Sequence, residues 1–328
     1  MLTKRQNFLE TIRGGNPDRF VKQFEPFSLL FGGPVARASK VPARGETVKN
    51  AWGVTIQFPE HVPGPFPLHD EEHKLVKDIT AWKDVVKAPR VDYPDGDWSD
   101  IRDMAAAVDR NEYFATILIA PGVFEQLHYF MGMEDCLLSF YTEPEAIKEL
   151  IDYVVDYELA YSERLIKHTR ADALLHHDDW GSQLSSFFSP EMFAEFIVPA
   201  YKKIYGFYKA NGVEVIVHHS DSYAANLVPQ MIEIGIDVFQ GCLTSNNVPE
   251  LVKKYGGQIS FMGDINNGVV DIEGWTPELI EREVERACRT CGKLYFIPCL
   301  ATGGPGSVYP GVYQAVSEAV DKVSKLLF

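Results

Sequence analysis

The stretch GVEVIVHHSDSYAANLVPQMIEIGIDVFQG, residues 212–241, decides the fold class. Residues 213–217 are mostly valine, which favours β-strands, and Val238–Gln240 forms a second apolar strand after a helical segment. Near-continuous apolar strands joined through helices indicate a parallel sheet that is covered on both faces. The first strand runs directly into HHSD at residues 218–221, which its stability does not require. This polar ending indicates a metal site, an acid–base site or the start of a solvated loop.

The same alternation of strands and helices extends along the chain on both sides of this stretch. Short apolar segments predict further strands at Ala173–His177, Ile259–Met262 and Leu294–Pro298, and near Phe24–Phe31 and Thr116–Ala120, in addition to the first strand of the stretch at Glu214–His218. No G-x-G-x-x-G or Walker A pattern follows any of these segments, although open doubly wound sheets often carry one. Because the strand count approaches eight, we predict an α/β fold of the (β/α)8 TIM-barrel type.

The helix starts carry explicit capping signals. Each signal combines a Ser or Thr with a Glu or Pro shortly after it: Thr142 with Glu145, Ser189 with Pro190, and Thr276 with Pro277. The first signal predicts a long helix toward Lys167, and the last predicts a helix that ends at Gly292.

Residues 32–100 follow a different pattern. Their segment WGVTIQFPEHVPGPFPLHDEE, residues 52–72, is rich in Pro and Gly and predicts a hairpin instead of helix–strand alternation. We interpret Gly32 to Asp100 as an insertion near the barrel mouth, and residues 1–328 as a single barrel domain.

Composition limits the class of protein and its partners. The 328 residues are 46% hydrophobic and 12% aromatic, as expected of a chain that buries a core. A net charge of −15 argues against binding to the phosphate backbone of nucleic acid. No apolar run approaches the roughly 18 residues of a membrane span, and the first residues lack a secretory signal. Five scattered cysteines favour a reducing compartment, so we predict a cytoplasmic protein that binds neither membrane nor nucleic acid.

Polar side chains collect where the predicted strands end. In a (β/α)8 barrel the active site lies at these carboxyl ends. The polar residues there are Glu125, His128, His176 to Asp179, His218 to Asp221, Asp264, Asn266 and Cys299. Such clustering of titratable groups predicts a functional site.

Within HHSD, the period of a strand places His219 and Asp221 on the same side. With Cys299 from the last strand they would form a three-ligand set with one open position, as catalytic zinc requires. Each residue also has a structural interpretation: a hydrogen-bonded histidine at a strand end, a helix cap at Asp221, and a small core residue at Cys299. Asp179 and Asp264 are the candidate catalytic carboxylates. Candidate substrate-binding residues are Glu125, His177, Gln183, Asn266 and Tyr309.

Three segments resemble the uroporphyrinogen decarboxylase superfamily. They are DDWGSQLSSFFSPEMFAEFIVPAYKKI (residues 178–204), GIDVFQG (residues 235–241) after a strand that ends in His, and, more loosely, RQNFLETIRGGNPDRF (residues 5–20). The resemblance covers most of the chain from about Phe114 onward and implies a (β/α)8 barrel. It also implies one of two chemistries: porphyrinogen decarboxylation, or zinc-dependent methyl transfer with a corrinoid protein.

The decarboxylase branch carries an arginine-rich segment resembling MRQAGR after its first strand, for a substrate with eight carboxylates. Here the corresponding QFEPFSLLFGGPVARASK, residues 23–40, supplies only Arg37. A polyanion site without clustered cations is unfavourable in a protein of net charge −15, so this branch is disfavoured.

The methyltransferase branch has a zinc motif resembling H-x-C on the same strand and a second Cys on the last strand. These positions correspond to His219, Asp221 and Cys299, so one thiolate is replaced by a carboxylate. Zinc with this harder ligand set would act as a Lewis acid on a methyl ether oxygen, while cobalt(I) of a corrinoid takes the methyl group. Aromatic residues near the mouth would suit a phenyl ring, although such residues are more often part of the core: Phe187, Phe188, Tyr309 and Tyr313.

The resemblance, the replaced thiolate and the aromatic residues together predict an O-demethylase-type methyltransferase that acts on a phenyl methyl ether. The chain has no D-x-H-x-x-G motif, so the corrinoid would ride on a separate partner protein. Three alternatives remain open: transfer from a methylated corrinoid to a thiol, a metal-free decarboxylase that uses Asp179 or Asp264, and a carrier that binds a corrinoid or tetrapyrrole without turnover.

Overall fold

The computed structural model describes residues 1–62, 64–301 and 309–328. Its main sheet has seven strands, and each is parallel to the neighbour to which it is hydrogen-bonded. They are β1 (Phe27–Leu30), β5 (Phe114–Ile119), β6 (Ala173–His177), β7 (Val215–His219), β8 (Val238–Cys242), β9 (Ser260–Ile265) and β10 (Phe296–Leu300), in that spatial order.

Helices connect and cover these strands. Their bounds are α1 (Lys4–Ile12), α2 (Gly33–Ala38), α3 (Trp82–Val85), α4 (Ser99–Ala106), α5 (Val123–Met131), α6 (Met133–Thr142), α7 (Pro144–Thr169), α8 (Pro190–Met192), α9 (Val198–Ala210), α10 (Val228–Glu233), α11 (Val248–Tyr255), α12 (Asn267–Val270), α13 (Pro277–Cys291) and α14 (Val312–Leu327). A π-helical turn, Phe193–Ile197, joins α8 to α9.

The seven parallel strands curl into a partial barrel that is covered by alternating helices, and this TIM-barrel-like fold confirms the predicted (β/α)8 class. Strand alternation divides the core into two layers. Val215 and Val217 point into the barrel with Leu175 and Met262, whereas Ile216 packs outward against the helices. The predicted strand at Glu214–His218 runs one residue further, so His219 is the last residue of β7 and inherits the inward direction of Val217.

Two of the three capping predictions are confirmed. Ser189 Oγ accepts a hydrogen bond from Met192 N, and Thr276 Oγ1 accepts one from Leu279 N. Gly292 ends α13 at φ +84°, a conformation that favours glycine.

The prediction for Thr142 is wrong. Thr142 is the last residue of α6, and its hydroxyl donates to Leu138 O one helical turn earlier. The following helix, α7, begins at Pro144, whose ring suits the first helical position and excludes a continuous helix across this point.

The insertion contains the predicted hairpin as part of a small antiparallel sheet. Its strands are β2 (Thr47–Lys49), β3 (Thr55–Gln57) and β4 (Phe66–Pro67). Val54, Ile56 and Trp82 are buried in the same hydrophobic cluster as the outer layer of the barrel. The insertion thus packs onto the barrel, and the assignment of one domain stays a prediction.

Cys136, Cys242, Cys288, Cys291 and Cys299 are all buried free thiols. Among the helices that the structure describes, none combines the length and the apolar character needed to cross a membrane.

Candidate metal centre

Three side chains meet at the carboxyl ends of two neighbouring strands. His177 ends β6, His219 ends β7, and Asp179 lies two residues beyond His177. One nitrogen of each imidazole and one oxygen of the carboxylate all lie within 4.8 Å of one another. Over residues 1–62, 64–301 and 309–328 this is the only group of three or more His, Cys, Asp or Glu residues close enough to hold a metal ion.

Parallel register brings the two histidines together. His177 and His219 are partners across β6 and β7, and their rings stack with centroids 4.4 Å apart. Because side chains alternate along a strand, the preceding histidines point away from this group. His176 Nε2 donates to Glu158 Oε1 at 2.8 Å, and His218 stacks on Trp180 at 3.7 Å. Each His–His pair therefore supplies one residue to the site and one to the surrounding structure.

A carboxylate orients His177. Nδ1 of His177 donates to Glu125 Oε2 at 2.8 Å, which leaves Nε2 of the same ring free. Burial lowers the pKa of His177 because it disfavours the protonated ring. The negative charge of Glu125 and its hydrogen bond to the ring have a larger, opposite effect, and the pKa of His177 is raised to about 9. Burial raises the pKa of Glu125 to about 7, although the nearby His177 partly offsets the increase. The two groups thus form a hydrogen-bonded ion pair near pH 8, and a metal ion at Nε2 of His177 would have to displace the proton from that nitrogen.

An amide orients His219 in the same way. Nδ1 of His219 is hydrogen-bonded to Gln240 Oε1, which can only accept, so this nitrogen carries the proton. Burial lowers the pKa of His219 to about 4, and the charge of His177 acts in the same direction. His219 is therefore neutral at pH 7 and presents the lone pair of Nε2.

Asp179 and Asp221 lie side by side. The backbone N–H of Asp221 donates to Asp179 Oδ1 at 3.0 Å. Burial, together with the negative charge of Asp179, raises the pKa of Asp221 to about 7. Asp221 is therefore able to hold a proton near neutral pH, next to the group formed by His177, Asp179 and His219.

Asp178 lies next to the group and connects several of the surrounding elements through hydrogen bonds. Its carboxylate is fully buried and accepts hydrogen bonds from Phe124 N, Glu125 N, Trp180 Nε1 and Tyr201 Oη. Two of these donors belong to the first turn of α5, so Asp178 fixes the helix that carries Glu125. The sequence identified the HHDD run at residues 176–179 but did not indicate which carboxylate has this role.

Asp264 and Cys299 are two further sequence candidates that lie outside this group. The carboxylate of Asp264 accepts from Arg286 Nη1 at 2.8 Å and from Cys291 Sγ at 3.5 Å, both on α13. Cys299 is completely buried in the inner core, and burial raises the pKa of its thiol. Of the three predicted ligands, His219 belongs to the group with His177 and Asp179, whereas Asp221 and Cys299 lie outside that group, and their assignment as ligands stays a prediction. The catalytic assignments of Asp179 and Asp264 stay predictions, as do the substrate-binding assignments of Glu125 and His177.

The remaining candidates are spread around the rim. Gln183 lies on an exposed turn, where its carbonyl accepts from Ser245 Oγ at 3.0 Å. Asn266 caps α12 through a hydrogen bond from Gly268 N at 3.0 Å. Tyr309 is half-exposed and its backbone N–H donates to Asp271 Oδ1. Their assignments as substrate-binding residues stay predictions.

The group fits a zinc ion. Two imidazoles and one carboxylate form an N₂O ligand set, and catalytic zinc sites commonly have three protein ligands and one open position. Zinc-binding histidines generally donate their second N–H to a carboxylate or carbonyl oxygen, and Glu125 and Gln240 accept those bonds here.

The fold and the site define a (β/α)8 barrel protein in which three side chains that could hold a metal ion converge at the carboxyl ends of the strands. Residues 47–323 match the uroporphyrinogen decarboxylase (URO-D) family, and the chain belongs to that family. The resemblance found in the sequence is thereby confirmed at the level of the family.

Among solved structures, the chain is similar to a methyltransferase from Methanosarcina mazei. The TM-score is 0.65, the sequence identity is 11%, and the match covers 98% of this chain and 99% of the other. At this identity the similarity shows a shared fold. No curated protein matches the sequence significantly.

Proposed function

We propose that this protein is a zinc-dependent methyltransferase that moves a methyl group from a phenyl methyl ether to the cobalt of a separate corrinoid protein. The observation that carries the proposal is the group formed by His177, Asp179 and His219, with both histidines oriented by hydrogen bonds. Membership of the URO-D family and the fold shared with a methyltransferase support it.

Each residue has a distinct part in this chemistry. His177 Nε2, His219 Nε2 and Asp179 would hold the zinc, which when bound acts as a Lewis acid toward the ether oxygen. Glu125 and Gln240 keep the two rings in place. Asp221, with its pKa raised to about 7, supplies the proton that the departing oxygen needs when the methyl group leaves.

The arrangement of the cations supports methyl transfer over porphyrinogen decarboxylation. Arg37, the one arginine of the segment after the first strand, pairs with Asp100 and donates to Asp97 O at 2.7 Å. Its charge is therefore already paired with the carboxylate of Asp100, so Arg37 is not an unpaired cation that could bind a polycarboxylate substrate.

Metal content tests the ligand set. Purified protein reconstituted with zinc and dialysed should retain about one zinc per chain by elemental analysis, and His177→Ala and His219→Ala should lose it. Cys299→Ser is the matched control, because this thiol lies outside the group and the variant should keep its zinc. Loss of zinc in Cys299→Ser with retention in His177→Ala would restore the ligand set expected from the sequence. Absence of zinc in the reconstituted wild type would overturn the metal site.

Turnover tests the reaction. The zinc-loaded protein should convert cob(I)alamin and methoxybenzene derivatives to methylcobalamin and a phenol, followed by the visible absorbance of the corrinoid. Asp221→Asn should lower the rate and leave the zinc content unchanged. If the protein instead consumes methylcobalamin only when a thiol is present, the thiol methyltransferase alternative is correct.

A further inference from the structure

A cavity lies at the carboxyl end of β5, between the insertion and α7. Its volume is about 320 Å³, at the lower end of the range for small-molecule sites, roughly 300–1,000 Å³. Most of its wall is apolar or aromatic, formed by residues that include Phe31, Val35, Trp52, Leu118, Tyr157 and Tyr161. None of the residues that line it in the described part of the chain belongs to the group of His177, Asp179 and His219.

The cavity has a polar end at which one buried hydrogen-bond donor has no partner in the part of the chain that the structure describes. Gln126 lines it with a side chain that is 3% exposed, and no atom of the described residues accepts a hydrogen bond from its Nε2. Glu158, which is 5% exposed, lines the same cavity and accepts from His176 Nε2 through Oε1. A buried amide donor without a partner is unfavourable, and a ligand oxygen in the cavity would relieve that cost.

Charge and shape select the ligand further. Among the described lining residues Glu158 is the one charged group, and none is a lysine or an arginine, so an anionic ligand would face repulsion without a counter-charge. Burial raises the pKa of both Tyr157 and Tyr161, so their hydroxyl groups stay neutral. The rings of Trp52 and Tyr157 pack edge to face at 4.7 Å, and together with Tyr161 they provide flat apolar surfaces.

We propose that this cavity is a second ligand site, which binds a neutral, planar aromatic molecule with an oxygen that accepts a hydrogen bond from Gln126 Nε2. The site is independent of the zinc and of the methyl transfer proposed above. It nevertheless adjoins that centre, because Gln126 follows Glu125 on α5 and Glu158 binds His176, the neighbour of His177.

Three probes of the same size separate the contributions. Acetophenone has an accepting oxygen and no charge, benzoate carries a charge, and ethylbenzene has neither. Saturation-transfer NMR and calorimetric titration on the full chain should show binding of acetophenone. Binding of ethylbenzene should be about tenfold weaker because the hydrogen bond is missing, and benzoate should bind more weakly still.

Two variants place the ligand. Gln126→Met keeps the side-chain volume but removes the donor, and it should weaken the binding of acetophenone about tenfold. The melting temperature should not fall, because the donor that is removed has no partner among the described residues. Val154→Phe narrows the cavity and should abolish binding of all three probes. His219→Ala is the control, since it removes a zinc ligand and should leave acetophenone affinity unchanged.

The outcomes distinguish this site from the metal centre. Equal affinity of wild type and Gln126→Met, or no binding of acetophenone at millimolar concentration, would overturn the second site. Loss of acetophenone binding in His219→Ala would also overturn it, because the ligand would then lie at the barrel mouth. A failed methyl-transfer assay with binding intact would overturn only the proposed reaction.

Discussion

The nitrogen left free on each histidine determines what the barrel mouth can bind. In both rings Nδ1 is occupied by an accepting oxygen, from Glu125 in one case and Gln240 in the other, so Nε2 is the available atom. Both Nε2 atoms are fixed before any ion arrives, which reduces the conformational entropy lost on binding. The accepting partners therefore matter for affinity even though neither touches the ion.

We expect Glu125→Ala to weaken zinc binding by about 10- to 100-fold, because His177 would lose the bond that fixes its ring. Competition with a chromophoric zinc chelator measures this affinity. Gln240→Leu, which removes the corresponding acceptor from His219, should have an effect in the same range. Glu10→Ala, which removes a carboxylate in α1, is the control and should leave the affinity unchanged. Unchanged affinity in both site variants would show that the orienting bonds do not contribute.

For individual residues, the sequence predicts where the site lies better than it predicts which side chains form it. A period of two within one strand pairs His219 with Asp221, and this pairing can be made from a single segment. The observed group instead joins His219 to His177, and that contact depends on β6 and β7 being neighbours in register. A lone sequence has no signal for this register, and the burial of Cys299 among inner-core side chains is equally a tertiary property.

At the scale of the elements, one buried carboxylate connects strand β6 to helix α5. Asp178 accepts from the first-turn amides Phe124 N and Glu125 N, which have no partners within the helix itself. A carboxylate at a helix N-terminus also interacts favourably with the helix dipole. The position of Glu125 beside His177 thus depends on Asp178.

We expect Asp178→Ala to destabilise the protein by about 3 kcal/mol or more, because buried donors would lose charge-assisted partners. Chemical denaturation followed by circular dichroism measures the change. Asp179→Ala is the matched control in the adjacent position, where one backbone N–H is the donor, and it should cost much less. Comparable losses in the two variants would contradict the proposed anchoring role of Asp178.

Helix α7 carries a histidine whose protonation should oppose folding. His168 is buried, its ring stacks on Trp98 at 5.0 Å, and burial lowers its pKa despite the nearby Asp95. Because the folded pKa lies below the unfolded value of about 6.5, the unfolded chain binds the proton more readily. The contribution of His168 to stability is therefore complete above about pH 6.5 and is lost as the pH falls toward the lowered folded value.

We expect His168→Phe, which retains a stacked ring, to reduce the loss of stability on acidification from pH 7.5 to 5.5. The difference in slope between wild type and variant is limited to one proton, about 1.4 kcal/mol per pH unit. Urea unfolding at several pH values measures it, and the comparison with the wild type cancels the contributions of the other histidines. Parallel curves for the two proteins would show that His168 titrates alike in the folded and unfolded states.

For the molecule as a whole, the fold class follows from local patterns, whereas the position of the insertion does not. Apolar strands that alternate with capped helices predicted the barrel, and two of three caps lie where the residues indicated. The Pro- and Gly-rich composition of residues 32–100 predicted a hairpin but not which barrel surface it would cover. That surface is formed by α5 and α7: Trp52 packs against Phe130 at 5.3 Å and against Tyr157 at 4.7 Å.

The insertion and the barrel share one hydrophobic cluster, so we expect them to unfold together. If residues 32–100 fold with the barrel, scanning calorimetry should show one transition, because separate domains would unfold separately. Trp52→Ala should then lower the melting temperature of that single transition by several degrees without splitting the transition in two, because the lost packing is part of the common core. Trp275→Ala, which removes another partly buried indole, is the control, because it should also shift the one transition. A new low-temperature transition in Trp52→Ala alone would show that the insertion is an independent unit, and the single-domain assignment would then be wrong.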